Sequence, residues 1–107
     1  MTVPGVGAAD LPAGAVLLDV REDDEWAAGH APDATHVPLG ELAARLGDVP
    51  DGEPLYVICR SGGRSARAAG FLLGQGRQAV NVEGGMQAWA AAGRPMAAAG
   101  AAAPAVI

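Results

Sequence analysis

Short apolar runs of strand length alternate with helix-like segments along most of the chain, and this alternation limits the fold more than any other sequence feature. The runs are nearly continuous, as expected for strands that are buried on both faces of a sheet. Four runs are predicted as strands: Ala15–Val20, Leu55–Cys59, Gln78–Val82, and the less apolar Ala34–Leu39, a short strand that Pro38 stops. Segments with helical features follow them: 21–30, 40–49, 65–76 and 84–93. We therefore predict an α/β fold in which helices cover a parallel sheet.

The size and charge of the chain narrow what it can bind. Its 107 residues suit one domain at residues 1–96, followed by an alanine-rich tail at residues 97–107 that we expect to be flexible. The net charge is −5, which argues against a nucleic-acid partner because nucleic acid binds basic surfaces. No apolar run approaches the ~20 residues that span a bilayer, and the N-terminus lacks the basic start of a signal peptide. We expect a cytoplasmic protein that is a monomer and binds no membrane.

One short segment concentrates the reactive side chains. Residues 59–65 read Cys-Arg-Ser-Gly-Gly-Arg-Ser and contain the only cysteine of the chain. Cys59 ends the strongest predicted strand and a helix begins near Ser65, so the thiol lies at the sheet edge where parallel α/β folds bind ligands. Gly62 and Gly63 let successive backbone N–H groups converge on an anion, and the helix dipole adds positive potential there.

This setting predicts a thiolate at Cys59. Nearby cations and helix N-termini lower the pKa of cysteine thiols, and both Arg60 and Arg64 belong to the segment. We predict that Cys59 is a nucleophile in an anion-binding loop. The alternative is a buried, inert cysteine, which explains neither the arginines nor the Gly-Gly turn. A lone cysteine excludes an internal disulfide and a thiolate metal cluster, and we expect no metal and no cofactor.

Three segments of the sequence contain recognisable motifs. Residues 17–39 contain an Asp-x-Arg-Glu and a Gly-His-x-Pro-x-Ala series, residues 57–72 contain the cysteine loop and the start of the next helix, and residues 81–96 contain Glu-Gly-Gly, Trp and Ala-Gly-x-Pro. In their order and spacing over residues 15–96, these segments resemble the rhodanese family of sulfurtransferases, in which the second segment carries the active site. Trp26 and Ala31 depart from the usual residues of the first motif, and neither belongs to the cysteine loop.

The resemblance implies a five-stranded parallel sheet with helices on both faces. It also implies that Cys59 accepts a sulfane sulfur from thiosulfate as a persulfide and passes it to cyanide or a thiol. The carried-over anion-binding residues are Arg60, Ser61, Gly62, Gly63, Arg64 and Ser65. Their backbone amides would hold the sulfur, and the two arginines would attract thiosulfate and the departing sulfite. Asp19 and Arg21 would brace the site.

The same residues allow other functions. The loop would equally serve a sulfur carrier that relays persulfide sulfur to a partner protein with little thiosulfate turnover. Protein tyrosine phosphatases space their cysteine and arginine as Cys-x5-Arg, whereas Ser65 holds that position here and Arg64 comes one residue early. We interpret His30 and His36 as structural residues that hydrogen bond backbone groups. The acidic run at residues 21–25 is interpreted as a solvated helix start.

Overall fold

The sheet at the centre of the protein has five parallel strands. A computed structural model describes residues 2–100 and 102–107, so that Met1 of the predicted domain and Ala101 of the predicted tail lie outside the described residues. The strands in these ranges are β1 (Gly5–Gly7), β2 (Leu17–Asp19), β3 (Thr35–His36), β4 (Leu55–Ile58) and β5 (Ala79–Glu83). They lie in the order β1-β5-β4-β2-β3, and each neighbouring pair is parallel. The predicted parallel sheet is confirmed.

Helices cover both faces of this sheet, as predicted. The α-helices in the described ranges are α1 (Asp23–Ala28), α2 (Gly63–Gly74) and α3 (Gly85–Ala91). Successive side chains of β4 point to opposite faces. Val57 therefore packs in a cluster with Leu72 of α2, while Ile58 packs in a second cluster with Met86 of α3. None of the helices in these ranges is long and apolar enough to span a bilayer.

The prediction of a helix over residues 40–49 is wrong. Two short 3₁₀ helices, Leu39–Glu41 and Leu46–Asp48, stand there with turns between them. Gly40 and Gly47 weaken helix propensity, and Pro50 follows closely, so the segment is too short and too flexible for a regular helix. Its apolar spacing instead reflects burial, because Leu42 is 1% exposed.

Strand β1 has no counterpart among the four predicted runs. Its sequence is Gly-Val-Gly after a proline, and glycine and proline are both uncommon in strands. The strand forms because its backbone pairs with β5 at the sheet edge, where Asn81 donates its backbone N–H to the carbonyl of Pro4 at 2.8 Å. This edge contact fixes the backbone of Asn81, whose side chain belongs to the site described below.

The C-terminal residues run back along helix α1. Ala97 and His30 exchange two backbone hydrogen bonds of 2.8 and 2.9 Å. Farther along, the N–H groups of Ala99 and Ala105 donate to the carbonyls of Ala27 and Ala28 at 3.0 and 2.9 Å. The domain boundary at residue 96 and the flexibility of the tail stay predictions.

Candidate active site

Cys59 lies directly after β4, the central strand of the sheet, at the C-terminal edge. Cys59 is 1% exposed, and its side chain lies beneath the loop that leads into α2. The backbone N–H of Gly62 donates to the sulfur at 3.1 Å, and the hydroxyl oxygen of Ser65 lies 3.2 Å from it. Helix α2 begins at Gly63, two residues earlier than the sequence indicated, so its first turn wraps the thiol.

Opposing effects act on the pKa of the Cys59 thiol. Burial disfavours the charged form and raises the pKa. The Ser65 hydroxyl and the backbone N–H groups of Ser65, Gly62 and Ser61 favour the thiolate and outweigh burial, so the pKa lies below that of an ordinary cysteine. The site therefore favours a nucleophilic thiolate without a histidine base.

Asn81 of β5 completes the set of hydrogen bonds around the loop. Its side-chain oxygen lies 2.5 Å from the Ser65 hydroxyl, and its amide nitrogen donates to the carbonyl of Gly62 at 3.2 Å. Asn81 therefore contacts the Ser65 hydroxyl, which lies against the sulfur, and the carbonyl of Gly62, whose N–H donates to the sulfur. Our sequence interpretation missed this residue, although a polar side chain inside the apolar run of β5, two residues before Glu83 of the Glu-Gly-Gly series, was an available signal.

The first turn of helix α3 donates backbone hydrogen bonds to the cysteine loop. The N–H groups of Met86 and Gln87 donate to the carbonyls of Cys59 and Arg60 at 2.8 and 3.0 Å. Gly85 has φ +54°, and a Cβ there would overlap the Cys59 carbonyl oxygen and lie 2.7 Å from the Arg60 carbonyl carbon. Only glycine permits this close approach, which explains the position of the Glu-Gly-Gly series behind the loop.

Arg64 is bound to an acid that the sequence interpretation placed in solvent. Its guanidinium donates to both carboxylate oxygens of Glu25 in α1, at 2.6 and 2.9 Å. The hydrogen bond from Arg64 is the main reason why the pKa of Glu25 falls to about 2, and the carboxylate in turn raises the pKa of Arg64. Asp23 and Asp24 of the same run are exposed, as predicted. No local spacing signalled the pair, because 39 residues separate its partners.

Asp19 and Arg21 form a buried ion pair at the end of β2. Both side chains are 0% exposed, and two nitrogens of Arg21 contact the Asp19 carboxylate at 2.8 to 3.1 Å. Arg21 also donates to the carbonyls of Glu25 and Gly29 at 3.3 and 2.7 Å. The pair thus fixes α1, which presents the Glu25 carboxylate to Arg64.

The remaining predicted residues lie on the solvent side of the loop. Ser61 and Gly63 are exposed, and so is Arg60, whose Nε donates to the backbone carbonyl of Ile107 at 2.9 Å. Of the predicted loop residues, Ser61, Gly62 and Ser65 direct hydrogen-bond donors toward the sulfur, whereas the Arg64 guanidinium pairs with Glu25 and Arg60 faces outward.

His30 and His36 hydrogen bond backbone groups, as predicted. The Nδ1 of His30 donates to the carbonyl of Trp26, and the Nε2 of His36 donates to the carbonyl of Arg21, both at 2.7 Å. The Trp26 ring stacks on both imidazoles, with centroid distances of 3.6 Å to His30 and 4.8 Å to His36. Both histidines therefore serve packing and loop geometry.

Comparisons with known proteins identify the family of the chain. The model of the rhodanese-like domain matches residues 8–92. The chain is 42% identical over 79 residues to YtwF of Bacillus subtilis, covering 74% of this chain and 77% of that protein. It is 38% identical over 77 residues to the thiosulfate sulfurtransferase GlpE of Pseudomonas syringae, covering 71% and 73%.

A solved structure shows the same fold. The rhodanese-related protein from Thermoplasma volcanium is 35% identical and superposes with a TM-score of 0.81, covering 88% of this chain and 97% of that one. The sequence resemblance, the parallel sheet and the family match all agree. This chain belongs to the rhodanese-like domain family, whose relatives include proteins named as sulfurtransferases.

Proposed function

We propose that the protein transfers a sulfane sulfur from thiosulfate to cyanide or a thiol through a persulfide on Cys59. The observation that carries this proposal is the sulfur of Cys59, held at 3.1 and 3.2 Å by the Gly62 N–H and the Ser65 hydroxyl at the C-terminal edge of a parallel sheet. These donors favour a thiolate, which is the form that attacks sulfur. The likeness to the thiosulfate sulfurtransferase GlpE supports thiosulfate as donor.

The reaction has two balanced steps. The Cys59 thiolate attacks the outer sulfur of thiosulfate, an S–S bond forms, and the bond to the sulfite sulfur breaks with its electron pair leaving on sulfite. Cyanide or a thiolate then attacks the terminal sulfur, and Cys59 leaves as a thiolate. The converging donors stabilise the anionic sulfur in both steps. No proton transfer from the protein is needed, which agrees with the structural roles of the nearby histidines.

Different residues around Cys59 bind the sulfur, attract the anionic donor and support helix α1. Backbone N–H groups from Arg60 to Ser65 hold the thiolate and then the persulfide. The exposed guanidinium of Arg60 attracts the anionic donor, and Arg64 adds the charge that its ion pair with Glu25 leaves available. Asp19 and Arg21 brace α1 from the buried side.

A sulfur relay to a partner protein is the second candidate function. Cys59 is the only cysteine, so the persulfide has no resolving thiol within the chain and requires an outside acceptor. A small thiol, cyanide or a relay protein would all satisfy this requirement. We propose a monomer in the cytoplasm, where a reducing environment preserves a free thiol.

Mass spectrometry and a turnover assay test the proposal together. Incubation with thiosulfate should add the mass of one sulfur atom to the protein, and cyanide should remove it as thiocyanate. The Cys59→Ser variant should do neither. Weak thiosulfate turnover together with fast sulfur uptake from a cysteine desulfurase would favour the relay function, and no sulfur uptake from thiosulfate by the unaltered protein would refute the thiosulfate sulfurtransferase function. Hydrolysis of an aryl phosphate that Cys59→Ser abolishes would instead favour phosphatase chemistry.

A further inference from the structure

Ser65 has one hydroxyl proton and two groups that can accept it. The oxygen of its side chain lies 3.2 Å from the Cys59 sulfur and 2.5 Å from the side-chain oxygen of Asn81. A serine hydroxyl donates only one hydrogen bond at a time. When it donates to Asn81, a lone pair of Ser65 faces the sulfur, which suits a thiol and disfavours a thiolate.

The carbonyl of Gly62 fixes which end of the Asn81 amide faces Ser65. The amide nitrogen donates to this carbonyl at 3.2 Å. Turning the amide over would place its oxygen against the Gly62 carbonyl oxygen, and two acceptors would then face each other. The backbone of Asn81 is also fixed, because its N–H donates a hydrogen bond to the carbonyl of Pro4 where β1 pairs with β5. Asn81 therefore presents an acceptor, not a donor, to the serine.

We propose that Asn81 is a positioning residue that competes with the Cys59 sulfur for the proton of Ser65, and so opposes formation of the thiolate. In the thiol state, Ser65 donates to Asn81 and accepts from the S–H group. When Cys59 ionises or carries a persulfide, the hydroxyl turns to the sulfur and leaves the Asn81 oxygen without this donor. This competition makes the thiolate less stable and therefore a stronger nucleophile.

Other charges near Cys59 stay unchanged when Asn81 is replaced. Helix α3 contributes no charged side chain to the loop. The charged residues on the other elements around the site are Asp19 in β2 and Arg21 after it, Glu22 before α1, Asp23, Asp24 and Glu25 on α1, Arg60 in the loop, Arg64 and Arg67 on α2, and Glu83 on β5. A shift in the ionisation of Cys59 on replacing Asn81 can therefore be assigned to the hydrogen bonds.

The test measures the rate of Cys59 alkylation by iodoacetamide against pH. This reaction needs no sulfur donor, so it is independent of the proposed function except that it requires a reactive Cys59. In Asn81→Leu, we expect the midpoint of the profile to fall by roughly 0.5 to 1 pH unit. This shift corresponds to the net free energy of one neutral hydrogen bond, here the bond from Ser65 to Asn81 that no longer competes with the sulfur. A midpoint that is unchanged or higher would overturn the proposal.

A double-mutant cycle separates competition from simple loss of loop order. Ser65→Ala removes the contested proton, so adding Asn81→Leu to it should leave the midpoint unchanged. If Asn81 only held the Gly62 carbonyl, its loss would raise the midpoint, and that effect would persist without Ser65. Circular dichroism checks that each variant is folded, and Asn81→Ala provides a smaller side chain if leucine is not tolerated.

NMR of the unaltered protein provides a second test of the competition. The side-chain amide resonances of Asn81 should shift with the same midpoint as Cys59 alkylation, because the amide loses the Ser65 donor as the thiolate forms. Amide resonances that do not change through this midpoint would contradict the competition. If Cys59 resisted alkylation at every pH, the proposed function would fail, because that function requires a reactive thiolate. A reactive Cys59 whose midpoint does not respond to Asn81→Leu would contradict only the role of Asn81.

Discussion

Glu25 controls how much positive charge an anion meets beside Cys59. Its carboxylate pairs with both ends of the Arg64 guanidinium, whereas Arg60 is exposed and donates to a backbone carbonyl. An approaching anion therefore meets a more exposed guanidinium at Arg60 than at Arg64, whose charge the Glu25 carboxylate compensates. The sequence could not reveal this difference, because two arginines in one loop look equivalent until a distant acid is brought to one of them.

The ion pair predicts a specific acid sensitivity. The Glu25 side chain is 12% exposed, and the hydrogen bond from Arg64 lowers its pKa from the ordinary 4.5 to about 2. A carboxylate with a lowered pKa in the folded state stabilises the protein above about pH 4.5, and this contribution disappears as the pH falls towards 2. Glu25→Gln should lower the free energy of unfolding by roughly 1 kcal/mol at pH 7, since solvent screens the partly exposed Arg64.

Urea unfolding at a series of pH values checks this expectation. The difference between the unaltered protein and Glu25→Gln should shrink steadily below about pH 4.5. Glu41→Gln is the matched control, because Glu41 pairs with Arg45 at 2.9 Å but is 53% exposed. We expect it to change stability by less than about 0.5 kcal/mol. A constant difference for Glu25→Gln across this pH range would show that its pKa is not lowered.

Contacts between elements shape the cysteine loop as much as the residues within it. Helix α3 donates two backbone hydrogen bonds to the Cys59 and Arg60 carbonyls, and α2 begins at Gly63 on the other side of the thiol. The loop is therefore held between two helix N-termini. This arrangement orients its remaining N–H groups toward the sulfur, which is the condition for stabilising an anion there.

Gly85→Ala should disturb this element contact. A Cβ would lie 2.7 Å from the Arg60 carbonyl carbon, and φ +54° is unfavourable for alanine. We expect the free energy of unfolding to fall by roughly 2 kcal/mol or more, and Cys59 alkylation at neutral pH to slow as the loop moves. Gly74→Ala, at the end of α2 with nothing within 4 Å of the added carbon, should leave the alkylation rate unchanged and should not lower the free energy of unfolding, because alanine favours a helix more than glycine does. Equal effects of the two substitutions would disprove the role assigned to Gly85.

The sequence predicted elements well where burial produced a regular pattern. Strands β2, β4 and β5 and helices α2 and α3 lie within about two residues of the predicted segments, because each contributes a buried apolar stripe. The cysteine loop was predicted because its thiol, glycines and cations are consecutive. Strand β1 forms through its pairing with β5 at the sheet edge, which no local sequence pattern indicates. Glu25 and Asn81 belong to the site through contacts with residues far away in the sequence, so local patterns could not reveal their roles.

At the scale of the whole molecule, the C-terminal residues connect α1 to the cysteine loop. The last carbonyls of a helix lack partners within it, and here Ala99 and Ala105 donate to those of Ala27 and Ala28. Gly29 is buried beneath them, and an added Cβ there would lie 2.5 Å from the Ala105 carbonyl oxygen. Finally, the Ile107 carbonyl accepts from Arg60. These contacts favour an attached segment, whereas its alanine-rich composition predicts a flexible one.

Hydrogen exchange distinguishes an attached tail from a flexible one. If the contacts persist in solution, the amides of Ala99 and Ala105 should exchange more slowly than those of an unstructured chain. Removing residues 98–107 should then leave the sheet folded, since the family match ends at residue 92, but lower the free energy of unfolding by roughly 1 to 2 kcal/mol. For a domain of this size that corresponds to a melting temperature lower by roughly 5 to 10 °C. Unprotected amides together with an unchanged melting temperature would instead establish the flexible tail that the composition predicts.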